Sequence, residues 1–338
     1  MFNKPTGGSI EIFLLEPANG NYLQLHQKGH SEWHCLVGGV KKWKNGEPLT
    51  QTVSFEGTEA TLTARMTGRT TENFLINFTW NNDCTFSEIL EWAGKVPLPP
   101  YIKRMAGELD KERYQTIYAR HDGSVAAPTA GLHFTERIFE RLKAKEIGHS
   151  SLTLHVGAGT FKPVSSSTIG EHVMHEEHFE VSREAIQVLA NPNIQPVAVG
   201  TTSLRTLESL YWIAYKILFT HNVVPSGLQS LSQWEHITFL SEKRPDRHLL
   251  FASLLQWMDT KEVSSIRGKT GICITPGYSF QVIKALATNF HQPKSTLLLL
   301  IAAICGDEWK RIYGEALVNG YRFLSYGDGS LLFPNNTL

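Results

Sequence analysis

Residues 196–218 read PVAVGTTSLRTLESLYWIAYKIL, and the fold class turns on how that run is parsed. Val197, Ala198 and Val199 suit a buried strand, which ends at Gly200. Thr201, Thr202 and Ser203 form a small polar turn, and a helix is expected to begin near Arg205. A strand feeding a helix through a short turn is the repeating unit of α/β proteins. The first turn of such a helix has unpaired backbone N–H groups, and the small hydroxyl residues add donors. That arrangement suits an anionic or strongly polar ligand at the carboxyl end of a strand. The same residues also suit an ordinary Ser/Thr cap, and spacing alone does not choose.

Working outward, GICITPGYSFQVIKALATNF (271–290) reads as a second copy of that plan, strand then helix. Upstream, SLTLHVG (151–157) reads as a strand. TERIFERLKAKEIG (135–148) reads as a helix with Thr135 as N-cap and Gly148 as stop. Residues 96–338 are therefore expected to form an α/β catalytic domain, with an inserted, partly helical excursion at about 211–269. Residues 1–95 have another texture. SIEIFLLE, TVSFEG, ATLTARM and NFLINFTW are strand-like and separated by GG, NG and NND turns, which predicts a small all-β barrel domain. VPLPPYIKR (96–104) breaks the pattern with three prolines and reads as the connection between the two.

The composition is that of a globular protein: 338 residues, 41% hydrophobic and 19% charged. Lys+Arg and Asp+Glu are both 32, so any nucleic-acid contact must rest on a local patch rather than a basic excess. The four cysteines, Cys35, Cys84, Cys273 and Cys305, form no CxxC pair and read as reduced thiols. The apolar run TLLLLIAAIC (296–305) is too short to span a bilayer and reads as a buried helix. The expectation is a soluble, cytoplasmic protein with no membrane partner.

Several loops carry chemistry-bearing residues. AAPTAGLHF (126–134) is nearly bare backbone ending in His133, and LHVGAGTFKPV (154–164) sets Gly157 just after a strand. Either can be a close-packed turn. HVMHEEHFEV (172–181) spaces histidines by three, but on a strand His172 and His178 share a face while His175 points away, which disfavours metal ligation. A histidine paired to Glu176 or Glu177 fits better. TNFHQPKST (288–296) reads as a helix end carrying Asn289 and His291, a break at Pro293, and a new cap. YRFLSYGDGSLL (321–332) gathers an arginine, two tyrosines and an aspartate.

Taken in order, DKERYQTIYA, AAPTAGLHFT, LTLHVGAGTFKPV, HVMHEEHFEV, VGTTSLRTLESL, TPGYSF, TNFHQPKSTLL and YRFLSYGD resemble the motif series of the S-adenosylmethionine:tRNA ribosyltransferase-isomerase family. The resemblance covers most of residues 96–332, and GGSIEIFLLE (7–16) is similar to a stretch of that family's barrel. It implies an α/β catalytic domain with a small all-β barrel domain. It also implies transfer and isomerisation of the ribosyl unit of S-adenosylmethionine onto 7-aminomethyl-7-deazaguanine in tRNA. Adenine and methionine are released and epoxyqueuosine-tRNA is formed. No metal or redox cofactor is implied, S-adenosylmethionine is a co-substrate, and the expected state is a monomer. FHQP and GDGSLL depart from the commoner FHLP and GDAML forms, 211–269 is longer than the family's usual connection, and a family segment is expected ahead of Met1.

Within that resemblance His133, His291 and His175 are the candidate proton-transfer groups. Gly200, Thr201, Thr202, Ser203, Arg205 and Gly157 are the donor-binding candidates. Lys103, Arg104, Asp110, Arg113, Tyr114 and Arg322 are the candidates for tRNA and its modified base. Two other readings make different predictions. A catalytically silent RNA- or nucleoside-binding paralogue binds tRNA without releasing adenine. A metal-dependent hydrolase built on His172–His178 is inhibited by a chelator.

Overall fold

The computed structural model describes residues 1–4, 7–43, 47–70, 73–94, 102, 104, 107–119, 127–155, 168–220, 227–239 and 244–335. The chain is a mixed α/β protein whose contacts fall into two units, one mostly within Met1–Glu112, the other drawn from Arg113–Tyr118, Ala127–Val156 and Lys162–Leu338.

The first unit carries β1 (Phe2–Asn3), β2 (Ser9–Pro17), β3 (His30–Gly38), β4 (Leu49–Phe55), β5 (Thr58–Arg69) and β6 (Phe74–Trp80), followed by α1 (Phe86–Ala93) and α2 (Glu108–Arg113). Its six strands pair antiparallel in the order β1-β2-β3-β6-β5-β4, and the end strands β1 and β4 approach each other, so the sheet is a nearly closed barrel. Irregular register between Leu14 and Glu16 and between Met66 and Gly68 adds the bends that curling requires. The interior is aromatic: Phe86, fully buried at the start of α1, has ring centroids 5.3–5.6 Å from Trp33, Phe78 and Trp80. A capping box between Thr85 and Glu88 fixes where α1 begins. The sequence reading found four of these strands but not β3, whose HSEWHCLVG mixes polar residues with apolar ones because only Ser31, Trp33 and Cys35 face inward.

The second unit contains α3 (Glu136–Ala144), β7 (Thr153–His155), β8 (Glu177–Ser182), α4 (Arg183–Ala190), β9 (Val197–Val199), α5 (Thr201–Phe219), β10 (Gln229–Leu231), α6 (Arg247–Thr260), β11 (Ser265–Thr270), β12 (Ala285–Asn289), α7 (Thr296–Cys305), α8 (Glu308–Val318) and β13 (Gly329–Leu332). Among the described residues its strands form two sheets, β10-β11-β8-β7 and β13-β12-β9, with β9 parallel and β13 antiparallel to the central β12. In α5, 14 of 19 residues are buried, so it is surrounded by protein rather than amphipathic.

Two expectations change. Helix α5 begins at Thr201, not near Arg205, because Gly200 turns the chain in one residue at φ +92°, a conformation that favours glycine. Residues 285–289 are a strand, not the end of a helix; Leu286 and Thr288 on one side and Ala285 and Asn289 on the other are all buried, and a strand covered on both faces loses the period-two signal. The stretch 211–269 supplies about half of α5, all of β10 and α6 and most of β11, and its Tyr211, Trp212, Phe251 and Leu254 sit in the main core.

The loop before β12 is fixed by a buried carboxylate on α5. Glu208 accepts the backbone N–H groups of Gln281 (2.8 Å), Val282 (3.0 Å) and Ile283 (3.1 Å) and the hydroxyl of Tyr278 (2.9 Å), which in turn accepts from Trp212 Nε1. Burial raises the Glu208 pKa, and those four donors pull against it. Glu208→Leu should leave three backbone N–H groups without partners and cost about 3 kcal/mol or more. The measurement is the denaturant midpoint, and an unchanged midpoint would show that the network does not hold the loop.

Candidate functional site

The parallel pairing of β9 with β12 creates the site. Val199 lies opposite Ala287, and the Gly200 N–H then donates to the Ala287 carbonyl at 2.9 Å, so both strands end side by side. At that edge α5 starts. Its N-cap is Gly200, with no side-chain cap, so the first-turn N–H groups of Thr201, Thr202 and Ser203 are not consumed by a Ser/Thr cap. Such a helix end attracts anions by about 0.3–1 kcal/mol, more when partly buried.

The AAPTAGLHF segment packs against this turn. Residues Thr129–His133 form a 3-10 turn in which Ala130 and Gly131 are buried. A Cβ added at Gly200 would lie 3.8 Å from the Ala130 Cβ, in ordinary contact. Gly131 has a sharper reason to be bare: a Cβ there would meet the Tyr118 hydroxyl at 2.0 Å and the Thr116 methyl at 2.8 Å. At the end of the turn the His133 imidazole reaches β12, with Nε2 3.0 Å from Nδ2 of Asn289. Beneath the ring runs β13: Gly329 pairs with Asn289, and a Cβ at 329 would come within 3.3 Å of His133 Cδ2 and Nε2. Next to Gly329, Asp328 accepts from the Arg322 backbone N–H at 2.7 Å and lies 3.6 Å from its guanidinium. The carboxyl is held below its usual range, first by that backbone bond, with smaller contributions from the Arg322 charge and from His133. His133, the start of α5 at 200–203, Asn289 and residues 328–329 thus meet at one place, although they are far apart along the chain.

Other candidates are placed differently. Arg205 does not open onto the turn. It is buried, its Nη1 donates to Glu177 Oε2 at 2.6 Å, and its remaining bonds go to the carbonyls of Ile272, His175 and Thr270. Four of the five guanidinium N–H groups are thereby used inside the protein. Thr202 Oγ1 also reaches Glu177, at 3.4 Å. His291 is buried on the other side of β12. Its ring bonds Thr288 Oγ1 at 3.1 Å and its backbone N–H bonds the Tyr313 hydroxyl, and Thr288 and Asn289 face opposite ways along the strand. Burial pulls its pKa down to about 4. His175 is exposed and contributes its carbonyl to Arg205.

His178 pairs across the sheet with His155 and Lys269, and burial, then Lys269 and its neighbouring histidines, lower its pKa to about 4. Among the described residues no group of three His, Cys, Asp or Glu side chains could hold a metal.

Of the tRNA candidates, Asp110 is buried and holds Arg104 in a two-pronged ion pair at 2.6 and 2.8 Å. Arg104 and Asp110 belong to the first unit, while Arg113, Tyr114 and Arg322 belong to the second. Tyr114 is buried with its ring edge against Tyr326, and Arg113 and Arg322 are exposed. Lys103 and Gly157 lie outside the described residues. Sequence reasoning missed Asn289 as a partner of His133 and Glu177 as the ion that holds Arg205. The adjacency of Asn289 to a strand end was hidden by reading that strand as a helix.

In open α/β sheets ligands bind at the carboxyl ends of the strands, and the ends of β9 and β12 beside the start of α5 present such an edge. A family model described as "Queuosine biosynthesis protein" matches residues 1–332, and the chain belongs to that family. It is 37% identical to an Anaeromyxobacter protein over 97% of this chain and 79% of that one. It is also 34% identical to an Azoarcus protein over 98% and 79%. Both relatives are named S-adenosylmethionine:tRNA ribosyltransferase-isomerase. A solved S-adenosylmethionine tRNA ribosyltransferase from Thermotoga maritima is 26% identical over 96% of this chain and 75% of its own, with a TM-score of 0.38. Among the described residues no helix is long and apolar enough to cross a membrane.

Two outcomes follow from these placements. Arg205→Met should leave the buried Glu177 carboxylate without its cation and cost about 3–5 kcal/mol, read as a lower denaturant midpoint. Unchanged stability with weakened S-adenosylmethionine binding would return Arg205 to the ligand side. Because His291 is neutral in the folded state and titrates near 6.5 when unfolded, its contribution is complete above that pH and is lost as pH falls toward 4. The unfolding midpoint should drop across that window, and the drop should be smaller in His291→Gln.

Proposed function

We propose that this protein is an S-adenosylmethionine:tRNA ribosyltransferase-isomerase. It transfers the ribosyl unit of S-adenosylmethionine to 7-aminomethyl-7-deazaguanine in tRNA, isomerises it, and releases adenine and methionine to leave epoxyqueuosine-tRNA. The single observation that carries this reading is the meeting of His133 and Asn289 with the uncapped start of α5 at the ends of β9 and β12, in a chain that matches the family from residue 1 to 332.

The reaction needs a group that removes a proton from the ribose carbon beside the sulfonium, and one that protonates departing adenine. The acceptor amine must be uncharged to attack. His133 is the proton-transfer group of this reading, half-exposed at the end of its turn. The N–H groups and hydroxyls of Thr201, Thr202 and Ser203 bind the methionine carboxylate or another polar edge of the donor. Gly200 lets that turn form, and Arg205 supports it from behind through Glu177. His291, buried and bonded on the far side of β12, keeps that strand in place and takes no part in the proton transfer. Arg113 and Arg322 are the exposed cations of the same unit that reach RNA phosphates. The protein works in the cytoplasm as a monomer, with no resident metal or redox group.

The test is incubation of the protein with S-adenosylmethionine and tRNA bearing the aminomethyl base, followed by detection of free adenine and the modified nucleoside. Adenine release is expected, and His133→Ala should lower it about a hundredfold or more while donor binding persists. Binding of tRNA with no adenine release from the unaltered protein would favour a silent RNA-binding paralogue.

A further inference from the structure

The Asn289 side chain is 3% exposed, its Nδ2 lies 3.0 Å from His133 Nε2, and its Oδ1 has no partner among the described residues. His133 Nδ1 has no hydrogen bond within the described structure. A neutral imidazole has one nitrogen that donates and one that accepts, so whichever group Asn289 shows to Nε2 decides what Nδ1 is. With Nδ2 toward the ring, Nε2 accepts and Nδ1 carries the proton. That tautomer has no free basic nitrogen, and it cannot give up its proton without becoming an anion. With Oδ1 toward the ring, Nε2–H donates and Nδ1 is bare. Nδ1 then takes a proton, and the resulting imidazolium keeps the same Nε2–H···Oδ1 bond and returns the proton from Nδ1. Only the second arrangement lets the ring cycle a proton.

The two arrangements differ by a half-turn of the amide, and the surroundings weigh them differently. In the resting placement the amide leaves one buried carbonyl oxygen unpaired, a milder deficit than unpaired N–H groups. A charged His133 reverses the balance, because its Nε2–H requires an acceptor and a charge-assisted bond is roughly twice as strong as a neutral one. Gly329 makes room for the ring against β13, and Asp328, paired with Arg322, is the carboxylate within electrostatic reach. We propose that Asn289 is a positioning residue whose amide, turned from its resting placement so that Oδ1 meets Nε2–H, reserves His133 Nδ1 as the atom exchanging a proton with the substrate. This rests on His133 being the proton-transfer group.

Two-bond ¹H–¹⁵N correlation spectra of the imidazole report which nitrogen of His133 carries the proton, and turnover is measured beside them. Asn289→Asp keeps the shape but only accepts, so the ring should shift to the Nε2–H form. Asn289→Leu removes the partner, so the tautomers should mix while turnover falls about tenfold to a hundredfold and donor affinity stays within twofold. An imidazole spectrum unchanged in both variants would overturn the positioning role, whatever the turnover. A shifted spectrum with unaltered turnover would instead remove His133 from the reaction and leave its tautomer control by Asn289 standing, which separates the two failures.

Discussion

Helix α5 sets a buried cation, Arg205, and a buried anion, Glu208, a single turn apart, and both are spent on the same stretch of backbone. Arg205 takes the carbonyls of Thr270 and Ile272, and Glu208 takes the N–H groups of Gln281, Val282 and Ile283. The irregular segment between β11 and β12 is therefore clamped at both ends by side chains of opposite charge, each matched to the backbone dipole that it meets. Removing either leaves a buried charge or several buried polar groups without partners, the costliest defects available in a core. Because the clamp sets where β12 begins, it also sets where β12 ends, and Asn289 is there.

The site depends on that alignment more than on any residue within it. Gly200 turns the chain so that the helix starts immediately beyond β9, Gly131 lets the Tyr118 hydroxyl sit against the 3-10 turn, and Gly329 leaves space for an imidazole. Three glycines from three segments thus answer why the chain brings so little bulk to this edge. None of the three needs a ligand to justify it. Together they leave one titratable ring, one buried amide and one uncapped helix end in the same place.

Much of this was legible in the residues. The hydrophobic strand, the turn and the long helix of 196–218 were readable because each has its own periodicity, and the β texture of the first ninety residues was plain from their turns. What failed did so for identifiable reasons. ALATN looked helical because both faces of β12 are covered, and HSEWHCLVG was not read as a strand because its inward face includes Ser31 while an apolar Leu36 faces outward. Arg205 looked available because a cation beside a polar turn resembles a carboxylate receptor. Its true partner, Glu177, is 28 positions away, and no local pattern announces such a pair. His133 was legible as a candidate, whereas its coupling to Asn289, 156 positions on, was not.

The order in which the ribosome makes these parts has a consequence of its own. His133, Gly200, Asn289 and Gly329 emerge in that sequence, and the strand that lies under the imidazole is the last of them. A growing chain can assemble its aromatic barrel early, since every strand of it comes from the first eighty residues. Until residue 329 has left the exit tunnel, however, the ring of His133 has no floor. A polypeptide stalled a few residues short of β13 would lack the strand that pairs with Asn289 and lies against the imidazole.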